Sequence, residues 1–221
     1  ECEAHIVREL QRAFPGDAIL TEEHPTKYLN GRGEGEGRLW IVDALDGSRN
    51  FLRGISNFGI SIGQILNGTS HFGMVYFPGL NELYFAEQYK GAFLNSQSIH
   101  IAQEYEVDRM FGSMFFGPQD VPKDKDKYGI LRRYEEHRAW TVNPGPFVTA
   151  ACYLAGGRLD AGIWTGMYPW DTAACGIILQ EAGAKVTDLK GNPWYWGSDP
   201  QDIVAANPAL HEKIMKEIIG L

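Results

Sequence analysis

The segment Leu39-Trp40-Ile41-Val42-Asp43-Ala44-Leu45-Asp46-Gly47-Ser48 decides the reading of this chain. Its four consecutive apolar residues predict a buried strand, and the run ends directly in two carboxylates. Asp43 and Asp46 are expected to converge there, with the Leu45 carbonyl between them as a third hard oxygen. An all-oxygen donor set suits Mg²⁺ better than zinc or copper. Asp-x-x-Asp-Gly is equally good turn chemistry at the head of a short helix. Gly47 and Ser48 are expected to open a helical turn whose first N–H groups point outward and favour an anion. The Ser48 hydroxyl then either orients a water or serves as a helix N-cap.

Upstream, Ile6, Val7, Leu10 and Phe14 recur at helical spacing before a Pro-Gly turn, which predicts an amphipathic helix over residues 2–13. A short strand at Ala18–Leu20 would deliver Glu22 and Glu23, and adjacent acids such as these are ordinarily solvated surface charges. His24 to Arg38 is polar and carries four glycines with no strand before it and no helical pattern after it, so it reads as a loop and not as a dinucleotide fingerprint. Downstream, Phe58–Leu66, His71–Phe77 and Glu82–Glu87 predict an antiparallel meander. The charged stretch Pro118–Lys127 reads as a surface loop or a weak boundary. That divides the chain into halves at 1–117, with Glu22, Asp43 and Asp46, and 118–221, with Asp171, both forming one catalytic unit.

The second half alternates helices and strands: a helix near Arg132, a strand at Ala139–Val142, a helix at Phe147–Ala155 and a strand at Asp160–Trp164. A helix at Thr172–Ala182, strands at Lys185–Thr187 and Asp202–Ala206, and a closing helix after Pro208 follow. Such alternation indicates layered helices and sheets. Asp171 is expected to start its helix, where an N-cap role is sufficient reason for an aspartate. Glu181-Ala182-Gly183 reads as an ordinary helix end.

Bulk properties narrow the function. A net charge of −8 repels nucleic-acid backbones and anionic lipid, and no Lys/Arg stripe with interleaved aromatics offsets it. No nucleic-acid or membrane partner is expected. Three dispersed cysteines without a C-x-x-C pair argue against a disulfide framework or a thiolate zinc site, and a cytoplasmic setting fits best. The chain opens inside its first helix-like stretch, which leaves room for a preceding segment.

Taken in order, Glu-Glu, then Trp-Ile-Val-Asp-x-x-Asp-Gly-Ser-x-Asn-Phe, then Trp-Asp-x-Ala-Ala with Glu-Ala-Gly behind it, resembles the inositol monophosphatase family of metal-dependent, lithium-sensitive phosphatases. Ala155–Asp160 and Asp202–Asn207 also look like family segments. The resemblance implies an α+β fold, a layered αβαβα sandwich of the sugar-phosphatase type, and often a homodimer. It implies Glu22, Asp43, the Leu45 carbonyl, Asp46 and Asp171 as ligands to two or three Mg²⁺ ions, with inhibition by Li⁺. It also implies that Asp43 takes part in catalysis, that Glu22 and Ser48 orient the attacking water, and that Leu45, Gly47, Ser48 and Asp171 contact the substrate. A further loop and an aspartate of the family pattern, at a weaker third metal site, would precede Glu1. Four clustered carboxylates support cation binding on their own: two like charges ~4 Å apart repel by ~4 kcal/mol at an effective dielectric near 20.

Where the pattern departs from the family, substrate choice is affected. Arg49 either adds positive charge beside the phosphate or faces solvent. Trp164 stands where the family has its inositol-binding glutamate, and Gly145-Pro146-Phe147 replaces a Gly-Ser/Thr-Ala segment. Trp164, Phe147 and Tyr168 therefore either shape a flatter, more aromatic pocket beside Gly145 or belong to the core. The expected activity is Mg²⁺-dependent hydrolysis of a small-molecule phosphate monoester. Inositol monophosphatase-like, fructose-1,6-bisphosphatase, histidinol-phosphatase and adenosine 3′,5′-bisphosphate phosphatase reactions are the alternatives. A non-catalytic module that binds metal or phosphate is the alternative of another class.

Overall fold

In the computed structural model, residues 1–24, 37–116, 127–197 and 200–221 are described, and they form helix, sheet, helix, sheet and helix layers. Helix α1 (Cys2–Ala13) covers the outer face of the first sheet, where Val7 packs with Ile19, Trp40 and Val42. Strand β1 (Ala18–Thr21) runs parallel to β2 (Arg38–Asp46). From β2 an antiparallel meander follows through β3 (Gly59–Leu66), β4 (Thr69–Phe77), β5 (Glu82–Glu87), β6 (Gly91–Leu94) and β7 (Gln97–Ile99). Trp40 and Val42 of β2 face α1, while Ile41 joins the central core. A strand buried on both faces carries continuous apolar residues, which is why residues 39–42 do not alternate.

The short helix α2 (Ser48–Leu52) follows β2, and β8 (Phe111–Phe116) begins the second sheet. That sheet has the order β11 (Lys185–Thr187), β12 (Gln201–Ala206), β10 (Ala161–Met167), β8 and β9 (Trp140–Thr141). Between the sheets lie α4 (Phe147–Ala155) and α5 (Pro169–Glu181), whose buried faces form most of the central core. On the outer face of the second sheet, α3 (Lys127–Glu136), α6 (Pro208–Lys213) and a π-helical turn at Ile214–Ile219 pack with Met114, Ile163 and Val204. The fold is thus the expected α+β sandwich.

Helix α5 belongs to the second half of the chain yet rests on β3, β4 and β5 of the first. Two glycines permit this. A Cβ on Gly63 would stand 2.7 Å from the Ala173 Cβ, and one on Gly73 would stand 2.6 Å from the Ala174 carbonyl oxygen. With Ala173 and Ala174 facing them, helix and sheet backbones approach more closely than larger side chains would allow.

Some expectations are corrected. Strand β2 does not end before the acids but runs through both. Helix α5 begins at Pro169, so Asp171 occupies its third position and Tyr168 is the N-cap. Glu181 is more than a helix end: its Oε1 accepts from the Tyr89 N–H and its Oε2 from the Gly91 N–H, each at 2.8 Å, fastening the β5–β6 turn to α5. The predicted loops at 24–38 and 118–127, and the boundary between 117 and 118, lie largely outside the described residues. Of their ends, Arg38 starts β2 and Lys127 starts α3.

Candidate active site

Side chains three apart on a regular strand point to opposite faces of the sheet. Asp43 pairs with Ser61 and Asp46 with Gly59, so three steps along β2 match two along β3. This one-residue bulge turns both carboxylates to the same side. Their third partner comes from α5, whose start is tied to β3 by a hydrogen bond from the Ser61 Oγ to the Trp170 carbonyl at 3.3 Å. Carboxylate oxygens of Asp43, Asp46 and Asp171 all lie within 4.8 Å of one another. Asp43 and Asp46 are only 3% and 8% exposed.

Each acid is held by a backbone donor. Leu45 N–H donates to the Asp43 Oδ1 at 2.8 Å, and Tyr168 N–H donates to the Asp171 Oδ2 at 2.9 Å. Asp46 accepts from the Gly47 N–H, so that donor is engaged and not free for an anion. The Asp46 Oδ2 is buried with no hydrogen-bond partner. Glu22, directly after β1, keeps part of its surface open to solvent, but its carboxyl turns in toward the cluster and shares a hydrogen bond with Asp43.

Burial dominates the electrostatics. It pushes Asp43 up to about 8, with the Glu22 charge adding to it and the Leu45 N–H opposing. Burial raises Asp171 to about 7, opposed by the Tyr168 N–H and assisted by Glu22. Asp46 lies well above the usual carboxylate range for the same first reason, reinforced by Asp43, Asp171 and Glu22. Glu22 is raised by burial and then by Glu23. A hydrogen bond between the Glu22 and Asp43 carboxyls requires one proton shared between the two.

The residues fit a hard divalent cation. Three carboxylates with raised proton affinity, Asp43, Asp46 and Asp171, converge with Glu22 beside Asp43, the Asp46 Oδ2 among them is satisfied by no donor, and every ligand atom is oxygen, the chemistry that Mg²⁺ takes. A cavity of about 420 Å³ adjoins the cluster, lined by Glu22, Glu23, His24, Asp43, Ala44, Leu45 and Ser48 together with residues 1–4. Arg49 is exposed and is not part of that wall.

Gly47 is the N-cap of α2, so Ser48 is its first helical residue and not the cap. Gly47 has φ +80°, and a Cβ there would stand 2.6 Å from the Pro146 Cγ and 3.0 Å from the Asn57 carbonyl oxygen. Both conformation and space therefore require glycine. Gly145 packs against α2 and the turn after it, beside Asn50 and Asn57, and Asn57 donates to the Pro144 carbonyl.

Trp164 corrects the aromatic-pocket expectation. It is 0% exposed, sits edge-to-face on Phe147 with ring centroids 5.1 Å apart, and donates to the Ser113 Oγ at 3.4 Å. An indole without exposed surface is core, and Phe147 is core with it. Tyr168 is partly buried and stacks on Trp170 at 4.9 Å.

Among the residues missed from sequence, Ser61 and the Asn50–Asn57 pair matter most for the site. Asn50 Nδ2 donates to the Asn57 carbonyl at 2.7 Å. Ser61 and Asn57 reach backbone carbonyls far along the chain, Trp170 and Pro144, and no sequence spacing encodes such contacts.

Comparisons with known proteins agree with this geometry. The family model described as "Inositol monophosphatase family" matches residues 1–219. A Thermotoga maritima protein named fructose-1,6-bisphosphatase/inositol-1-monophosphatase is 31% identical over 218 residues, covering 99% of this chain and 79% of the relative. A Neisseria meningitidis protein named putative Nus factor SuhB is 35% identical over 215 residues, covering 96% and 79%. Among solved structures, inositol monophosphate-bound SaIMPase-II superposes with a TM-score of 0.85 at 25% identity, covering 99% of this chain and 81% of that one. The chain belongs to the inositol monophosphatase family, and with it to the phosphoric monoester hydrolases.

Proposed function

We propose that this chain hydrolyses a small-molecule phosphate monoester with Mg²⁺, using water activated at the acidic cluster. The observation that carries the reading is the Asp43–Asp46–Asp171 cluster around a buried, unpartnered Asp46 oxygen. Glu22, Asp43, the Leu45 carbonyl, Asp46 and Asp171 would hold two or three cations. Bound Mg²⁺ would neutralise the cluster, lower the pKa of water and offset developing charge on the leaving oxygen. Glu22, with Ser48, orients the water and receives its proton at the carboxylate. Ser48, on the cavity wall at the start of α2, would approach the phosphoryl oxygens, with Gly47 shaping the turn that presents it and the exposed Arg49 adding positive charge nearby. Catalysis is positioning and electrostatics without a covalent intermediate.

With Trp164 in the core, that side chain does not choose the organic half of the substrate. Inositol 1-phosphate, fructose 1,6-bisphosphate, histidinol phosphate and adenosine 3′,5′-bisphosphate make the informative panel. The names of the Thermotoga relative support the first two. Release of inorganic phosphate from at least one of them, dependent on Mg²⁺, is the expected result. Ligand binding by calorimetry without turnover of any would replace this reading with that of a non-catalytic binding module.

A homodimer and a cytoplasmic setting complete the proposal. Phe111, Phe115 and Trp140 leave an aromatic strip 38–74% exposed at the β8–β9 edge, suited to contact with a second copy. Cys2, Cys152 and Cys175 are all free thiols, in keeping with a reducing compartment.

A further inference from the structure

Helix α1 supplies one wall of the cavity beside the acidic cluster, through residues 1–4 at its N-terminal end. The helix returns through the turn after Ala13 into β1, so its first turn overlies the end of β1 that leads to Glu22. Glu3 stands four residues before Val7, on the same face of the helix. Val7 is buried against Ile19, Trp40 and Val42, and Glu3 turns inward with it. Its side chain is only 12% exposed.

By charge alone that position is unfavourable. Glu22, Glu23 and Asp43 line the same cavity, and no lysine or arginine stands among its described lining residues. Burial and then the Glu23 charge raise the proton affinity of Glu22, and the Glu3 charge adds to them. What Glu3 gains there is a hydrogen bond: its Oε1 lies 2.7 Å from the His24 Nδ1. An ionised carboxylate only accepts, so Nδ1 donates.

The Glu3–His24 bond completes a series of contacts that leads to the acidic cluster. His24 N–H donates to the Thr21 Oγ1 at 3.1 Å, and Thr21 is fully buried at the end of β1. This side-chain bond closes residues 21–24 into a turn. Glu22 N–H donates to the Val42 carbonyl at 3.3 Å, holding the turn beside the residue that precedes Asp43. The Glu22 carboxyl then shares its hydrogen bond with Asp43. The turn is thus anchored to β2 at Glu22 and to α1 at His24. Fixing it at both places limits where the half-open Glu22 side chain can swing.

On the hydrolytic reading above, in which Glu22 meets cation and water, we propose that Glu3 and His24 are positioning residues that hold the Thr21–His24 turn so that the Glu22 carboxylate faces Asp43. The pair acts through its hydrogen bond and not through charge. In the full chain, Glu3→Ala and His24→Ala should each weaken Mg²⁺ binding about tenfold, read without substrate from a melting-temperature titration. Each should also lower kcat on the monoester panel about tenfold and leave KM within about twofold, because Glu22 orients water and not the organic half of the substrate. His24→Asn, whose amide nitrogen falls near the Nδ1 position, should recover most of both losses, whereas His24→Gln, whose amide lies out at the Nε2 position, should not. Glu3→Gln, which keeps an acceptor without the charge, should stay near the parent. The double alanine variant should be no worse than either single one, as for two residues acting as a unit. Should an alanine variant fail to fold, the contrast between His24→Asn and His24→Gln decides alone. Parent-like Mg²⁺ affinity in a folded alanine variant, equal losses in His24→Asn and His24→Gln, Glu3→Gln as impaired as Glu3→Ala, a raised KM, or additive losses in the double variant would overturn the proposal. A parent that binds Mg²⁺ and hydrolyses nothing would refute the proposed function instead, with the affinity comparison still deciding this one.

Discussion

Gly63 lies directly beneath Ala173, so closely that a Cβ on the glycine would stand 2.7 Å from the alanine's own. This contact, two residues beyond Asp171, sets how near α5 brings its carboxylate to Asp43 and Asp46 on β2. Gly63→Val is expected to lift the helix and cost about 1–3 kcal/mol of stability through overpacking. Phosphate release should fall more than tenfold in the fraction that remains folded. Urea denaturation with a parallel phosphate assay measures both, and full activity per folded molecule would separate the seam from the site.

Removing a carboxylate should have opposite effects with and without metal. Asp46→Asn relieves repulsion around a buried charge, so in EDTA its melting temperature should equal or exceed that of the parent. Added Mg²⁺ should raise the parent's melting temperature, as any ligand of the folded state does, and raise the variant's far less. Equal Mg²⁺ shifts in both proteins would mean that Asp46 is not a ligand.

The pH dependence of the metal-free protein follows from the direction of these shifts. Asp43 and Asp171 hold protons more tightly folded, at about 8 and about 7, than at the ordinary carboxylate value of 3.8. The folded state then binds more protons than the unfolded chain across that interval. Their contribution is fully present below pH 3.8 and is lost as pH rises through 7 and 8. In EDTA the melting temperature should therefore be lower at pH 8.5 than at pH 6, by a margin that shrinks in Asp43→Asn. Mg²⁺ should reverse the trend, since cation binding improves as the protons leave.

Trp164 should behave as core. Trp164→Ala is expected to destabilise by about 3–5 kcal/mol, as large aromatic truncations do. In Trp164→Phe, which keeps most of the packing, KM should stay within about twofold of the parent value across the monoester panel. A large, substrate-dependent change in KM with stability retained would restore the indole to the pocket wall.

Local pattern made much of the fold legible. Residues 39–42 announced a strand because burial on both faces leaves no room for polar alternation, and the helix at 147–155 was legible in the alternation of helical and extended segments along the second half. The acids were visible as residue types, but their convergence was not. It depends on the bulge between Asp43 and Asp46 and on the glycine seam under α5, both set by pairing between distant segments. Glu181 looked ordinary because its partners are backbone N–H groups ninety residues away in sequence. Trp164 misled because alignment to a ligand-binding position says nothing about which way a side chain points. Here its ring folds over Gly162 into the core.

The most direct test of the phosphatase account is a Mg²⁺ titration of phosphate release from the monoester panel, run on the parent and on Asp43→Asn and Asp171→Asn. Turnover that rises from background with Mg²⁺ in the parent and falls at least a hundredfold in both variants, about 2.7 kcal/mol or more of transition-state stabilisation, is the expected result. Turnover that survives in EDTA, or equal rates in parent and variants, would contradict the claim that these carboxylates gather the catalytic cations.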